Sequence, residues 1–231
     1  MTARAYTHPT DSEDLDVTSF SRTRTLALAA GLSLALIGGS SARAAAQVLP
    51  DSPRLTGVLE EPSFGAFFFQ PSSLRGDGRG GLVTWAPAGL PASARLRFGA
   101  AEQDDDDGGV SGFGGIDVRI PLKPDEASGV RLAWTTGIGG SYGEWGVISL
   151  PIGLVAGAVW SEGAVTLAPW VGVGVGFDYQ FGDEAPDNEF EVRPAADVGL
   201  DLAFDEARRV LLRVGLSMGD RSALAVGLAF R

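Results

Sequence analysis

Between Val165 and Phe204 the chain keeps a strict period of two, broken only by an acidic turn at 182–189. One face carries Val165, Leu167, Pro169, Val171, Val173, Val175, Phe177, Tyr179 and Phe181, then Phe190, Val192, Pro194, Ala196, Val198, Leu200, Leu202 and Phe204. The other carries Gly172, Gly174, Gly176 and Asp178, then Glu191, Arg193, Asp197, Gly199 and Asp201. Successive side chains of a strand point to opposite sides, whereas a helix would mix these two sets. Both arms exceed the usual strand of about 5–6 residues, as expected of a hairpin that crosses a bilayer.

The same pattern recurs on either side. Leu96 and Phe98 oppose Arg95 and Arg97; Ile116, Val118 and Ile120 oppose Asp117 and Arg119. Val130, Leu132, Trp134 and Ile138 oppose Arg131 and a run of Ala, Thr and Gly. Ile148 to Ala158, Val210 to Met218 (opposing Arg213) and Leu224 to Phe230 complete eight strands within 94–231. A phenylalanine-rich stretch at 64–70 and a short apolar one at 82–87 raise the count to ten if they also span. Both counts are even, as single-chain barrels require. Pro169 and Pro194 cut against long strands, since each removes a ladder hydrogen bond.

Which face looks outward follows from side-chain size and charge. A soluble barrel would carry bulky polar residues outside, but here the polar face is mostly Gly, Ala and Thr. Interspersed on it are Arg95, Arg97, Asp117, Arg119, Arg131, Glu191, Arg193, Asp197, Asp201 and Arg213. Placed inside a narrow barrel, these charges must pair, because each would be costly alone. Asp197 is expected to pair with Arg213 on the following strand. The apolar face then meets lipid, with Trp145, Phe177, Tyr179, Phe181 and Phe190 at one rim and Trp160, Phe204 and Phe230 at the other. The reversed arrangement, a soluble periplasmic barrel holding an apolar ligand, is the competing reading.

The N-terminus explains how such a chain would reach a membrane. Arg22 and Arg24 precede the apolar run Leu26–Ile37, and Ala42-Arg43-Ala44 supplies a small-x-small site. That is a signal peptide cleaved after Ala44 or Ala46, too short for a spanning helix. Residues 1–44 are thus an extension plus signal peptide, 47–92 an N-terminal segment with strand-forming stretches, and 94–231 the barrel.

Composition narrows the chemistry. The net charge is −11 and Lys123 is the sole lysine, so no nucleic-acid partner is expected. Cysteine is absent and the single histidine, His8, precedes the signal sequence, leaving no thiolate and no neutral-pH base in the barrel. Asp197 and Asp201 would be the residual candidates for carboxylate catalysis, with ion pairing the plainer role. Asp104 to Asp107 reads as a solvated acidic loop rather than a calcium loop, Arg75-Gly76-Asp77 as a plain turn, and the Gly172–Gly176 run as small lumenal residues rather than a nucleotide loop.

Signal peptide, strand pattern and an ending that alternates Leu224, Val226, Leu228 and Phe230 resemble the small outer-membrane β-barrel family of the OmpA-like and OmpX-like kind. Arg231 after Phe230 departs from its usual terminus. The resemblance covers about residues 94–231. It implies an all-β, antiparallel up-and-down transmembrane β-barrel in the bacterial outer membrane, of a Gram-negative envelope, and a monomer. The implied partners are outer-membrane lipid and, during biogenesis, periplasmic chaperones and the barrel-assembly machinery reading that ending. Barrel enzymes of this size, lipid A deacylases and palmitoyltransferases among them, rely on a histidine. The expectation is therefore a protein that is no enzyme and needs no cofactor or metal, with a structural or surface-interaction role. The alternative is a narrow pore for small solutes or ions.

Overall fold

The computed structural model describes residues 54–59, 62–71, 78–88, 90, 94–103, 109–122, 129–143, 145–182, 185, 190–219 and 222–231. Residues 1–46, which hold His8 and the stretch read as a signal peptide, the Arg75–Asp77 tripeptide, the Asp104–Asp107 loop and most of the 182–189 turn lie outside them.

The strands are β1 Phe64–Pro71, β2 Gly78–Trp85, β3 Ala94–Gln103, β4 Val110–Leu122, β5 Val130–Tyr142, β6 Gly146–Ala158, β7 Trp160–Glu162, β8 Val165–Phe181, β9 Phe190–Ala203, β10 Val210–Gly219 and β11 Ala223–Phe230. Apart from β6 and β7, chain neighbours pair antiparallel, β1 pairs with β11, and a β6–β8 ladder completes the circuit. β7 continues β6 in the same register along β8: Gly157 opposes Trp170 and Trp160 opposes Leu167, with the gap falling opposite Pro169. The two are one stave, so the fold is a closed antiparallel barrel of 10 strands. The ten-strand alternative is the one realised, because β1 and β2 are needed to bring β11 back to β3.

Proline is accommodated where ladders pause. The β5–β6 ladder skips the residues opposite Leu150 and Pro151, where the missing N–H could donate nothing. Pro194 lies one residue beyond the last β9–β10 pair, Gly219 with Ala195. A two-residue turn at Gly163–Ala164 joins β7 to β8, with Gly163 at φ 56°, a conformation that costs glycine nothing.

The pleat assigns the faces. Val171, Val173, Ile138 and Ile120 are exposed on the outside, Val173 at 61%. Arg97, Arg213, Asp178 and Asp201 are fully buried inside. The rim aromatics are mostly exposed, including Trp160, Phe204, Tyr179 and Phe190. Trp145 is the exception: it is buried with Val147, because it shares the inward parity of Val147 and Ser149.

Candidate functional site in the barrel lumen

The glycine-rich inner faces leave more room than the barrel's own side chains fill. The chain fills it with residues 54–59, an irregular strap running inside the barrel ahead of β1. Leu55, Val58 and Leu59 are buried in one apolar cluster with Trp170, Ala203, Leu211, Ala225 and Ala229. Small residues on the staves form the seat. A Cβ at Gly215 would lie 2.6 Å from Leu55 Cδ2, and one at Gly157 would lie 2.9 Å from Val58 Cγ2. A Cβ at Gly57 of the strap would lie 2.5 Å from Asp201 Oδ2 and 2.8 Å from Arg213 Nη2, so only glycine passes there.

Lumenal arginines hold the strap by its backbone. Arg95 Nη1 donates to Leu55 O at 3.0 Å and Arg213 Nη1 to the same oxygen at 2.6 Å. Arg119 Nη1 donates to Gly57 O at 2.9 Å, and Arg131 Nη1 to Val58 O at a longer 3.5 Å. Arg95 Nη2 adds a bond to the Thr56 hydroxyl at 3.0 Å. Backbone carbonyls inside a barrel have no water to turn to, and charge-assisted donors satisfy them well. The strap brings one cation of its own. Arg54 Nη1 reaches to 3.0 Å from the Cβ position of Gly153 and 2.7 Å from that of Gly174.

Cross-strand register decides which staves pair by charge. Arg213 sits opposite Asp201 and grips it with two bonds, Nε to Oδ1 at 2.7 Å and Nη2 to Oδ2 at 2.8 Å. Asp197 sits opposite Ser217, whose hydroxyl donates to Asp197 Oδ1 at 2.6 Å. The expected Asp197–Arg213 pair is therefore not the one formed, because the strand offset places Arg213 four residues further along β9. Arg95 opposes Asp117 and meets it at 3.1 Å, and Arg97 lies 3.7 Å from the same carboxylate. Higher up, Arg193 lies 3.4 Å from Asp178 and pairs with Glu191, which also accepts from Gln180 at 3.0 Å. Asp201 thus meets an arginine, whereas Asp197 meets a serine hydroxyl.

Strand periodicity could not announce the strap, which has none. The signal that points to it is the inward run of glycine on the staves. Leu224, Val226 and Leu228 of the C-terminal run all lie exposed on the outer face, as does Phe230.

No family model matches the chain, and no curated protein matches it in sequence. Among solved structures it is similar to LpxR from Salmonella typhimurium, with 10% identity and a TM-score of 0.39 over 83% of this chain and 78% of that one. Of the OmpA-like and OmpX-like resemblance, the antiparallel closed β-barrel is what the structure shows, with ten strands in place of eight. The expectation that the chain is no enzyme is withdrawn, because the barrel matched here, LpxR, is itself an enzyme. At that identity and score the likeness carries no activity, substrate or residue role across.

Proposed function

We propose that this protein resides in the bacterial outer membrane with a structural or surface-interaction role, its lumen kept shut by its own N-terminal strap. One observation carries the membrane placement: an exposed belt of Val, Ile, Leu and aromatic side chains that encircles a closed barrel. A patch of that extent facing water would drive association, whereas lipid covers it at no cost. In this reading outer-membrane lipid is the barrel's main contact and the barrel stands as a monomer, since closure leaves no free strand edge. Export uses the signal sequence, chaperones carry the unfolded chain across the periplasm, and the assembly machinery reads the Leu224–Phe230 ending.

The shut lumen is what favours this role over a narrow pore. Along the β6–β8 ladder the strap runs from Gly153 and Gly174, beside Arg54, to Gly157, beside Val58. A cavity beside the strap measures about 20 Å³, room for about one water molecule. Solutes could pass only if residues 54–59 withdrew.

Reconstitution tests both parts. The mature chain should float with liposomes, shift in mobility on heating before electrophoresis, and give no conductance steps in planar bilayers. Failure to insert would sink the membrane placement. Insertion with regular conductance steps would sink the shut lumen and favour the pore.

A further inference from the structure

The strap is bound to the barrel without belonging to its sheet. Residues 54–59 form no part of a strand, and the circuit of staves closes through β1–β11 and β6–β8 without them. They are fastened in another way. The carbonyls of Leu55, Gly57 and Val58 accept from arginines on four different staves: Arg95 of β3, Arg119 of β4, Arg131 of β5 and Arg213 of β10. Any peptide offers backbone carbonyls, so these donors recognise main chain that has no ladder of its own. Side chains enter at two points. Gly57 passes where a Cβ would lie 2.5 Å from Asp201 Oδ2 and 2.8 Å from Arg213 Nη2. Leu55, Val58 and Leu59 are buried in the apolar cluster that holds Trp170.

From this arrangement we infer that the lumen is a binding site for a short apolar peptide with a central glycine, occupied in cis by the chain's own strap. Each of these contacts is open to a free peptide with the strap's sequence, since none uses the covalent join to β1. The join acts through concentration instead. A short tether holds its ligand at an effective concentration of order millimolar, so a free peptide enters only where the strap is severed or cannot seat. The inference rests on the proposed reading of a strap-filled lumen, but not on membrane insertion. Binding is measured in detergent, so conductance through the uncut chain would count against the shut lumen, and absent peptide binding against the site.

For the test, the recognition sequence of a specific protease is inserted between Glu61 and Pro62 of the full chain, which is refolded in detergent and only then cut. The severed segment should stay with the barrel through gel filtration and leave it in moderate urea. The emptied barrel should keep its heat-dependent shift in electrophoretic mobility. A fluorescent synthetic peptide of residues 54–61 should then bind it saturably. The Gly57→Leu form of that peptide should bind at least tenfold more weakly. So should a form with a thioamide at Leu55, whose sulfur is a poorer acceptor for Arg95 and Arg213. Loss of the mobility shift along with the segment would overturn the inference, because the strap would then be part of the fold. So would an intact, emptied barrel that ignores the peptide, or one that binds the Gly57→Leu form equally well. Should the inserted site resist cutting, the full-length Gly57→Leu chain decides. It should take up the free wild-type peptide, which the uncut wild-type chain excludes, and equal uptake by the two would show that the lumen holds no such site.

Discussion

The carbonyl oxygen of Leu55 accepts a 2.6 Å hydrogen bond from Nη1 of Arg213, a residue 158 positions later in the chain. Through its other nitrogens the same guanidinium holds both oxygens of Asp201, so one arginine fastens the strap and joins β9 to β10. Both roles depend on Arg213 being buried opposite Asp201.

Asp201→Ala should therefore destabilise the barrel by about 3–5 kcal/mol, since it strands a buried arginine. Replacing Arg213 by Met in the same chain should restore part of the loss. Urea midpoints in detergent for the wild type, both single variants and the double variant provide the cycle. Strictly additive losses would show that the two side chains do not interact.

Asp197→Ala should cost less, about 1.5–3 kcal/mol, the range for a hydrogen bond to a charged group, because its cross-strand partner is the Ser217 hydroxyl. It should also be additive with Arg213→Met. Coupling between Asp197 and Arg213 larger than that between Asp201 and Arg213 would contradict the register of β9 on β10.

The two faces of β8 make a sharper contrast than charge alone. Val173→Arg places a cation on the outer belt and should cost about 2–4 kcal/mol in a bilayer. On the inner face, Gly172→Ala should be nearly neutral, because its Cβ would meet its nearest neighbours at an ordinary 3.5 Å. Gly174→Ala should be clearly destabilising, with a Cβ 2.5 Å from Ile152 O and 2.7 Å from Arg54 Nη1. Lipid-vesicle refolding yields for the three variants should rank accordingly; equal behaviour of Gly172→Ala and Gly174→Ala would mean that Ile152 O and Arg54 do not crowd Gly174 as described.

Gly57→Leu should unseat the strap while leaving the staves paired, because its side chain would have to displace the Asp201–Arg213 pair. The chain contains no cysteine, so Val58→Cys provides a unique reporter. Maleimide labelling of Val58→Cys should be slow in the otherwise native barrel and at least tenfold faster with Gly57→Leu present. Rapid labelling in both would show that residues 54–59 do not rest in the lumen.

Much of this architecture was legible in the sequence, because the alternation of side chains along a strand is a local property of the backbone. A period of two over β3 to β11 separates Val173 from Gly174 and Leu200 from Asp201 without reference to any other part of the molecule. Even Trp145 could have been placed correctly from parity with Val147 and Ser149; its aromatic character suggested a rim instead. Enclosure, by contrast, is not local. Whether β1 and β2 count as staves depends on what must bridge β11 and β3, and nothing within Phe64–Pro71 or Gly78–Trp85 states it. Register, too, belongs to pairs of strands: the turn at Asp205–Arg209, closed by Asp205 accepting from the Arg209 N–H, sets the offset that gives Arg213 to Asp201 and Ser217 to Asp197. The strap lies furthest from sequence reading. Its residues have no periodicity and bond through backbone carbonyls, which every residue possesses. The sequence by itself determined strands, faces and the charges within; closure of the barrel decided their number, their partners and the segment that fills them, because those depend on distances between residues that only the closed circuit brings together.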